Sequence, residues 1–241
     1  HRDLHSFPTR RSSDLVADLL FPHHENEACQ TRCATKKELS KYWVHNGFVT
    51  IEGEKMSKSL KNSFFIKDAL EAVNGEVLRF YLMNAHYRAP LNFNHQDMFA
   101  SKKRLDKLYR LKKRVYGVKE GEVESSFKDA LLKALSDDLN ISIALSAIDE
   151  FVKSSNEFLD SGEKNSAKRG AIVANISFVD KLLGVGGSDA YAYFQHGLTK
   201  EQKSEIEALI EERSAAKKAK DYAKADEIRD VLTRIDINIM D

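Results

Sequence analysis

Apolar and polar positions become orderly from Ala17 onward, and their period changes along the chain. Asp18-Leu19-Leu20-Phe21 ends a short apolar run, and Pro22 suits the first turn of a helix carrying His23 to about Ala34. Tyr42 to Ile51 (YWVHNGFVTI) is rich in aromatic and β-branched residues and predicts a strand, interrupted at Asn46-Gly47. Helical spacing then takes over. Ile66 to Val73 predicts a short helix ended by Asn74-Gly75. Glu76 to His86 predicts a second, with Val77, Phe80, Tyr81 and Leu82 or Met83 on its apolar side. Residues 96–116 predict a long helix whose buried stripe is Leu105, Leu108, Leu111 and Val115. Three more amphipathic helices follow at Phe127 to Leu135, Ile141 to Leu159 and Ala167 to Leu183. Gly184-Val185-Gly186-Gly187-Ser188 then suggests a linker, and Glu201 to Arg234 a long helix or a helical hairpin about Asp221. None of the three prolines lies after Pro90, which favours uninterrupted helices in the second half.

Composition narrows this picture. The chain has 241 residues, 42% hydrophobic and 31% charged, enough for two or three globular domains. A net charge of +1 identifies no partner, and no apolar run nears the ~20 residues that span a bilayer. Two cysteines, Cys29 and Cys33, make no disulfide framework, so a reduced, cytoplasmic setting is expected. Residues 1–16 lack a sustained apolar period, and no methionine precedes Met56. Asp3 and Asp14 argue against a transit peptide. This stretch resembles translated adapter sequence and is expected to be non-native. Charge is uneven locally: Lys102 to Lys119 holds nine Lys/Arg and one acidic residue, Asp106. Lys102, Lys103, Arg104, Lys107, Lys112 and Lys113 of that helix are candidates for a nucleic-acid backbone, with a solvated helix face as the plain alternative.

Two short motifs carry candidate chemistry. Lys55-Met56-Ser57-Lys58-Ser59 puts two ammonium groups and two hydroxyls on one short segment. Such a segment suits the phosphates of a nucleotide, because lysine supplies a point charge that backbone N–H groups can join. A solvated Lys/Ser loop would have the same composition. His23 and Glu27 are four residues apart, so a helix sets them on one face, about 40° apart. They could share a metal ion, or be a surface or capping pair. Zinc usually takes four ligands. Cys29 lies ~240° around the same helix from His23, so the cysteines read as small buried hydrophobes rather than completing ligands.

The pentapeptide followed by Leu60-Lys61-Asn62 resembles the second signature loop of class I aminoacyl-tRNA synthetases. Asp18-Leu19-Leu20-Phe21-Pro22-His23-His24-Glu25-Asn26-Glu27 resembles the zinc helix of the cysteinyl-tRNA synthetase family. The likeness continues through Tyr42 to Val49, Asp68-Ala69-Leu70, Glu76 to Leu82, His86 to Phe93 and Asp137-Asp138-Leu139-Asn140. At the last site Ile141-Ser142 replace the family's usual Thr-Pro. It extends to Ala216 to Tyr222 and Ala225 to Asp230. The resemblance implies ATP with Mg2+ and L-cysteine as substrates. Lys58 would be the main phosphate ligand, supported by Lys55, with Ser57 and Ser59 donating hydrogen bonds or shaping the loop and Met56 anchoring it. It implies Zn2+ held partly by His23 and Glu27, the family's two cysteine ligands and its HIGH-type motif having no match here. The metal's use is chemical: an apolar pocket separates cysteine from serine poorly, whereas thiolate binds zinc far better than hydroxyl does.

The fold implied is mostly α. A remnant of a class I Rossmann-like α/β catalytic domain spans 17–66 and a stem-contact region 67–118. A helical bundle follows over 119–185, and anticodon-binding helices over 189–241. The function implied is ligation of cysteine to tRNA(Cys) through cysteinyl-adenylate, by a cytoplasmic monomer without membrane segments. By itself the chain is expected to be inactive. Two alternatives are a cysteine:amino-sugar ligase, which would not need the 201–234 helices, and a non-catalytic tRNA-binding protein derived from a synthetase.

Overall fold

The stripe Leu105, Leu108, Leu111 and Val115 recurs every three or four residues, and all four side chains are buried in the computed structural model, which describes residues 19–51, 54–55 and 66–234. In chain order, a helical turn (Leu20–His24) leads into α1 (Glu25–Thr35), then β1 (Val49–Ile51), β2 (Glu54–Lys55), α2 (Ile66–Ala72), α3 (Gly75–Leu82) and β3 (Leu91–Phe93). The rest is helical: α4 (His95–Arg114), α5 (Ser125–Ser136), α6 (Ile141–Asp160), α7 (Ser166–Leu183), α8 (Ala190–Phe194), α9 (Lys200–Lys218) and α10 (Tyr222–Arg234). This is the mostly helical architecture with a small α/β part that the sequence implies.

Local chemistry explains where the helices begin. Asparagine caps four of them, its side-chain oxygen accepting an orphan amide: Asn74 from Glu76, Asn94 from Asp97, Asn140 from Ile143 and Asn165 from Lys168. Asn140 thus starts α6 without the family's proline two residues on. Thr199 and Gln202 form a capping box at α9.

The strand expected over Tyr42–Ile51 forms only at Val49–Ile51. A ladder needs a partner, and β3 offers three residues, pairing in parallel as Val49↔Leu91, Thr50↔Asn92 and Ile51↔Phe93. β2 folds back antiparallel on the other side, Thr50 facing Lys55, which gives the order β2-β1-β3. α3 buries Val77, Leu78, Phe80 and Tyr81; of the two alternatives for its apolar side, Leu82 is exposed and Met83 half-buried.

The segment 184–188 departs from its expected role as a linker. Gly184 closes α7 in the left-handed region at φ 69°, where glycine carries no Cβ penalty, and Val185 is fully buried. The Glu76 carboxylate accepts from the Gly186 amide at 3.0 Å, the Ser188 amide at 3.1 Å and the Ser188 hydroxyl at 2.7 Å, and also from the Tyr109 hydroxyl. Lys112 Nζ donates to the carbonyls of Gly186 and Ser188, each at 2.7 Å. Arg79 Nε donates to the Leu183 carbonyl at 2.6 Å. The glycines of this segment permit a tight path rather than a loose one.

The chain divides into two units between Ala190 and Tyr191. In the second, the hairpin rather than the single long helix is found: α9 and α10 pack on each other around Ala216, Ala225, Ile228 and Leu232. Lys220 turns the chain at φ 62°, and Asp221 accepts the Lys224 amide at 3.1 Å.

Candidate functional site

The β1–β2 hairpin ends at Lys55, the first residue of the lysine–serine pentapeptide. Backbone pairing with Thr50 sets its place in the sheet. Met56, Ser57, Lys58 and Ser59 lie outside the described residues. β1 and β3 are parallel, and ligands in such sheets bind beyond the carboxyl ends of the strands. A groove of about 500 Å3, lined by Gly47, Val49, Leu82, Leu91, Leu139 and Ile141, sits instead by the amino-terminal ends of β1 and β3. It is therefore not assigned to nucleotide chemistry.

The proposed metal face lies at the start of α1. Backbone angles are helical from Pro22 onward, Phe21 being the extended residue before it, so His23 and Glu27 are one turn apart. His23 is exposed and Glu27 half-buried. An imidazole and a carboxylate at this spacing suit zinc, and they are two of the four donors such a site needs. Among the described residues no group of three or more His, Cys, Asp or Glu side chains could hold a metal ion. Cys29 and Cys33 are both exposed, not buried as the sequence suggested, because α1 presents only Ala28 to the interior.

His24, which the sequence left without a role, turns inward. Its Nδ1 lies 3.0 Å from His45 Nε2, so one ring donates and the other accepts. Trp43 stacks on His45 at 6.1 Å between centroids and 6° between planes, and its ring lies 5.7 Å from that of His24. Burial pushes the His45 imidazole below its ordinary pKa, and charge repulsion from His24 and Arg88 adds to this. This cluster ties the residues before β1 to the start of α1. Its sequence signal was the doubled histidine followed 21 residues later by another.

A second tie joins the approach to β3 with the α5–α6 turn. Asp138 receives Arg88 Nε at 2.8 Å and the Tyr87 hydroxyl at 2.5 Å, and its carbonyl oxygen meets His86 Nε2 at 2.8 Å. Asp138 and Leu139 both take positive φ, 49° and 55°. The hydrogen bonds from Arg88 and Tyr87 hold the Asp138 carboxyl below its ordinary value.

The basic set on α4 sorts by geometry. Lys102 pairs with Asp106 at 3.0 Å and Arg104 with Asp149 at 2.7 Å. Lys112 faces the carbonyls of 186–188, and Lys113 is half-buried. Lys103 and Lys107 are exposed, as is Arg110, which the sequence set omitted. No ion pair or hydrogen bond among the described residues engages these three. Spaced i, i+4, i+7, they form one stripe about 10 Å long. No described helix is long and apolar enough to cross a membrane.

Comparison with known proteins agrees with this arrangement. Residues 16–103 match the family model "tRNA synthetases class I (C) catalytic domain", and residues 199–241 match "Cysteinyl-tRNA ligase anticodon binding domain". The cysteine–tRNA ligase of Nitratiruptor sp. is 62% identical over 225 residues, and that of Aliarcobacter butzleri 59%; each alignment covers 93% of this chain and 48% of the relative. The Helicobacter pylori enzyme is 57% identical with the same coverage. The chain thus spans about half the length of the curated relatives it matches. Among solved structures, LeuRS of Agrobacterium radiobacter K84, in a ternary complex with tRNA and LeuAMS, superposes with a TM-score of 0.55 at 16% identity. That match covers 76% of this chain and 26% of LeuRS, and it shows a shared fold. With a class I catalytic-domain match, a cysteinyl-tRNA ligase anticodon-domain match and relatives near 60% identity, the chain is similar, over about half of their length, to the cysteine–tRNA ligases among class I synthetases.

Proposed function

We propose that the chain supplies the phosphate loop, two zinc ligands and the RNA-binding surfaces of a cysteine–tRNA ligase acting in the cytoplasm as a monomer. The observation that carries this is the β1–β2 hairpin, which starts the pentapeptide at Lys55 beside a parallel strand pair. In the proposed reaction L-cysteine carboxylate attacks the α-phosphate of MgATP. The α–β phosphoanhydride bond breaks, pyrophosphate leaves, and the terminal adenosine hydroxyl of tRNA(Cys) then takes the cysteinyl group from AMP. Positioning and charge stabilisation dominate such chemistry. Lys58 and Lys55 offset charge developing on the pyrophosphate, Ser57 and Ser59 donate to its oxygens, and Met56 anchors the loop. His23 and Glu27 would hold zinc together with donors beyond this chain's described residues. When bound, the metal selects thiolate over hydroxyl. The α9–α10 hairpin, within the anticodon-domain match, favours tRNA over an amino-sugar as acceptor.

Zinc is tested by metal content. In a chimera joining this chain to the unmatched half of the Nitratiruptor relative, His23→Ala or Glu27→Gln loses most of the bound zinc, while Cys29→Ser keeps it. Zinc retained in both ligand variants would remove the assignment.

The RNA surface on α4 is Lys103, Lys107 and Arg110. A chain with all three changed to alanine binds a tRNA(Cys) transcript about tenfold or more weakly, and the slope of log affinity against log salt falls by about 2–3. Lys102→Ala with Arg104→Ala changes the slope by less than one, because both side chains are already paired. Equal slopes for the wild-type and triple variants would rule out phosphate contact there.

A further inference from the structure

Two cations of the α4 stripe share a groove with a third from another helix. Lys107 and Arg110 line a cavity of about 720 Å3 between α4 and α6, and Lys153 of α6 lines it with them; Lys103 does not. The two helices pack side by side and run in the same sense, because Arg104 meets Asp149 and, ten residues on, Arg114 meets Asn156 and Asp160. These ties close the groove at its two ends, at 2.7 Å for Arg104 with Asp149 and at 2.6 and 2.5 Å for Arg114 with Asn156 and Asp160. Ten helical residues span about 15 Å. Between the ties, no ion pair or side-chain hydrogen bond among the described residues engages Lys107, Arg110 or Lys153. Glu150 also lines the groove and is likewise unengaged, although it lies three residues from Lys153 on the same helix. Like charges this close carry a cost. Lys107 and Arg110 are three apart on α4, and Arg110 and Arg114 four apart, so each pair repels. An anion between the helices turns that repulsion into attraction. The end ties already hold the walls, so little reordering opposes its entry. Phosphate suits the donors: a guanidinium offers it two parallel hydrogen bonds, and the ammonium groups add point charge.

We propose that the α4–α6 groove is a phosphate site formed by Lys107, Arg110 and Lys153, and that its ligand is the backbone of a bound RNA. This rests on the tRNA reading above and extends it from one helix face to a cleft between two helices. The groove lies wholly within the first unit. Lys153 thereby joins the RNA surface from a helix whose sequence shows no basic run. Glu150 acts against the ligand, as the carboxylate of the groove that no cation neutralises among the described residues.

The test titrates a tRNA(Cys) transcript against the 241-residue chain over a range of salt. Lys153→Ala is expected to weaken binding about threefold or more and to lower the slope of log affinity against log salt by about one. Glu150→Gln is expected to strengthen binding about two- to threefold, although it adds no cation. Lys128→Ala is the control: Lys128 is an exposed, unengaged lysine of α5 outside the groove, and its loss is expected to leave the slope unchanged. Inorganic phosphate replacing part of the chloride at constant ionic strength separates the two sources of phosphate. Transcript affinity within about twofold supports the RNA backbone as ligand. Displacement of the transcript from the wild-type chain but not from Lys153→Ala makes the groove a free-anion site and overturns the RNA assignment. An unchanged slope in Lys153→Ala overturns the proposal, as do equal losses in Lys153→Ala and Lys128→Ala or weaker binding in Glu150→Gln. All of these leave the tRNA reading standing. Failure of the wild-type chain to bind the transcript overturns that reading itself, and this site with it.

Discussion

Lys58→Ala, made in the chimera with the unmatched half of the Nitratiruptor relative, lowers cysteine-dependent ATP–pyrophosphate exchange by about 100- to 1000-fold. The expectation follows from where charge moves. As the α-phosphate is attacked, negative charge accumulates on the departing pyrophosphate. An ammonium group already in place stabilises that state more than it stabilises bound ATP. The loss therefore falls on the rate, and the cysteine concentration for half-saturation changes by less than about threefold, since the proposed role of this lysine is at the phosphates. Lys55→Ala acts in the same direction with a smaller effect, on the order of tenfold. Lys55 ends β2, and its backbone is held by pairing with Thr50, so the loss there is of side-chain charge without loss of the hairpin. Exchange within threefold of the parent for both variants would sink the phosphate assignment.

Gly47→Ala destabilises the chain by about 2–3 kcal/mol, the upper part of the range for overpacking at a tight contact. A Cβ at position 47 would stand 2.2 Å from the Ala89 carbonyl oxygen, 2.4 Å from the Ala89 carbonyl carbon and 2.9 Å from the Arg88 carbonyl oxygen. All three are backbone atoms and cannot swing aside as a side chain would. The Gly47 amide also donates to Tyr87 O at 2.6 Å, and the Leu91 amide to Phe48 O at 2.8 Å, so the clash falls where the β1–β3 ladder begins. Relief requires the two segments to part. Slipping by one residue instead would turn the side chains of β1 to the opposite face. Gly75→Ala is the contrasting control: its nearest neighbour is a leucine methyl at 3.5 Å, and alanine favours the helix it opens, so stability stays level or rises. Urea unfolding of the two variants measures the difference. Equal, small shifts would mean that 46–48 and 87–89 are less closely apposed than described.

What could be read from the chain, and what could not, follows the range of the interactions. The α4 stripe was legible because it involves residues three or four apart, and periodicity reports such spacing directly. The α9–α10 break at Lys220-Asp221 belongs to the same class. Lys112 was not legible. It has the same charge and helix as Lys103, and only carbonyls 74 to 76 residues later distinguish them. Composition misled at Gly184–Ser188, where a glycine-rich run suggested slack and a carboxylate 110 residues earlier removes it. The inward turn of His24 depends on Trp43 and His45, which a helical wheel of α1 does not contain. The truncated strand depends on the three residues that β3 provides. On the functional side, the motif residues were named from resemblance. The structure adds which cations on α4 remain unengaged, including Arg110, which was among the nine counted but not in the candidate set.

The tie between Glu76 and Gly186 also bears on the order of assembly. Closing a chain loop of 110 residues carries a larger entropy cost than pairing neighbours such as α5 with α6, and it rewards the chain only after α3 and α4 have docked. During synthesis Glu76 emerges first and waits for its amides while α4 to α7 are being made. The segment 184–188 is therefore expected to settle late in the first unit, and until it does Glu76 and Lys112 lack the backbone ligands they hold in the folded chain.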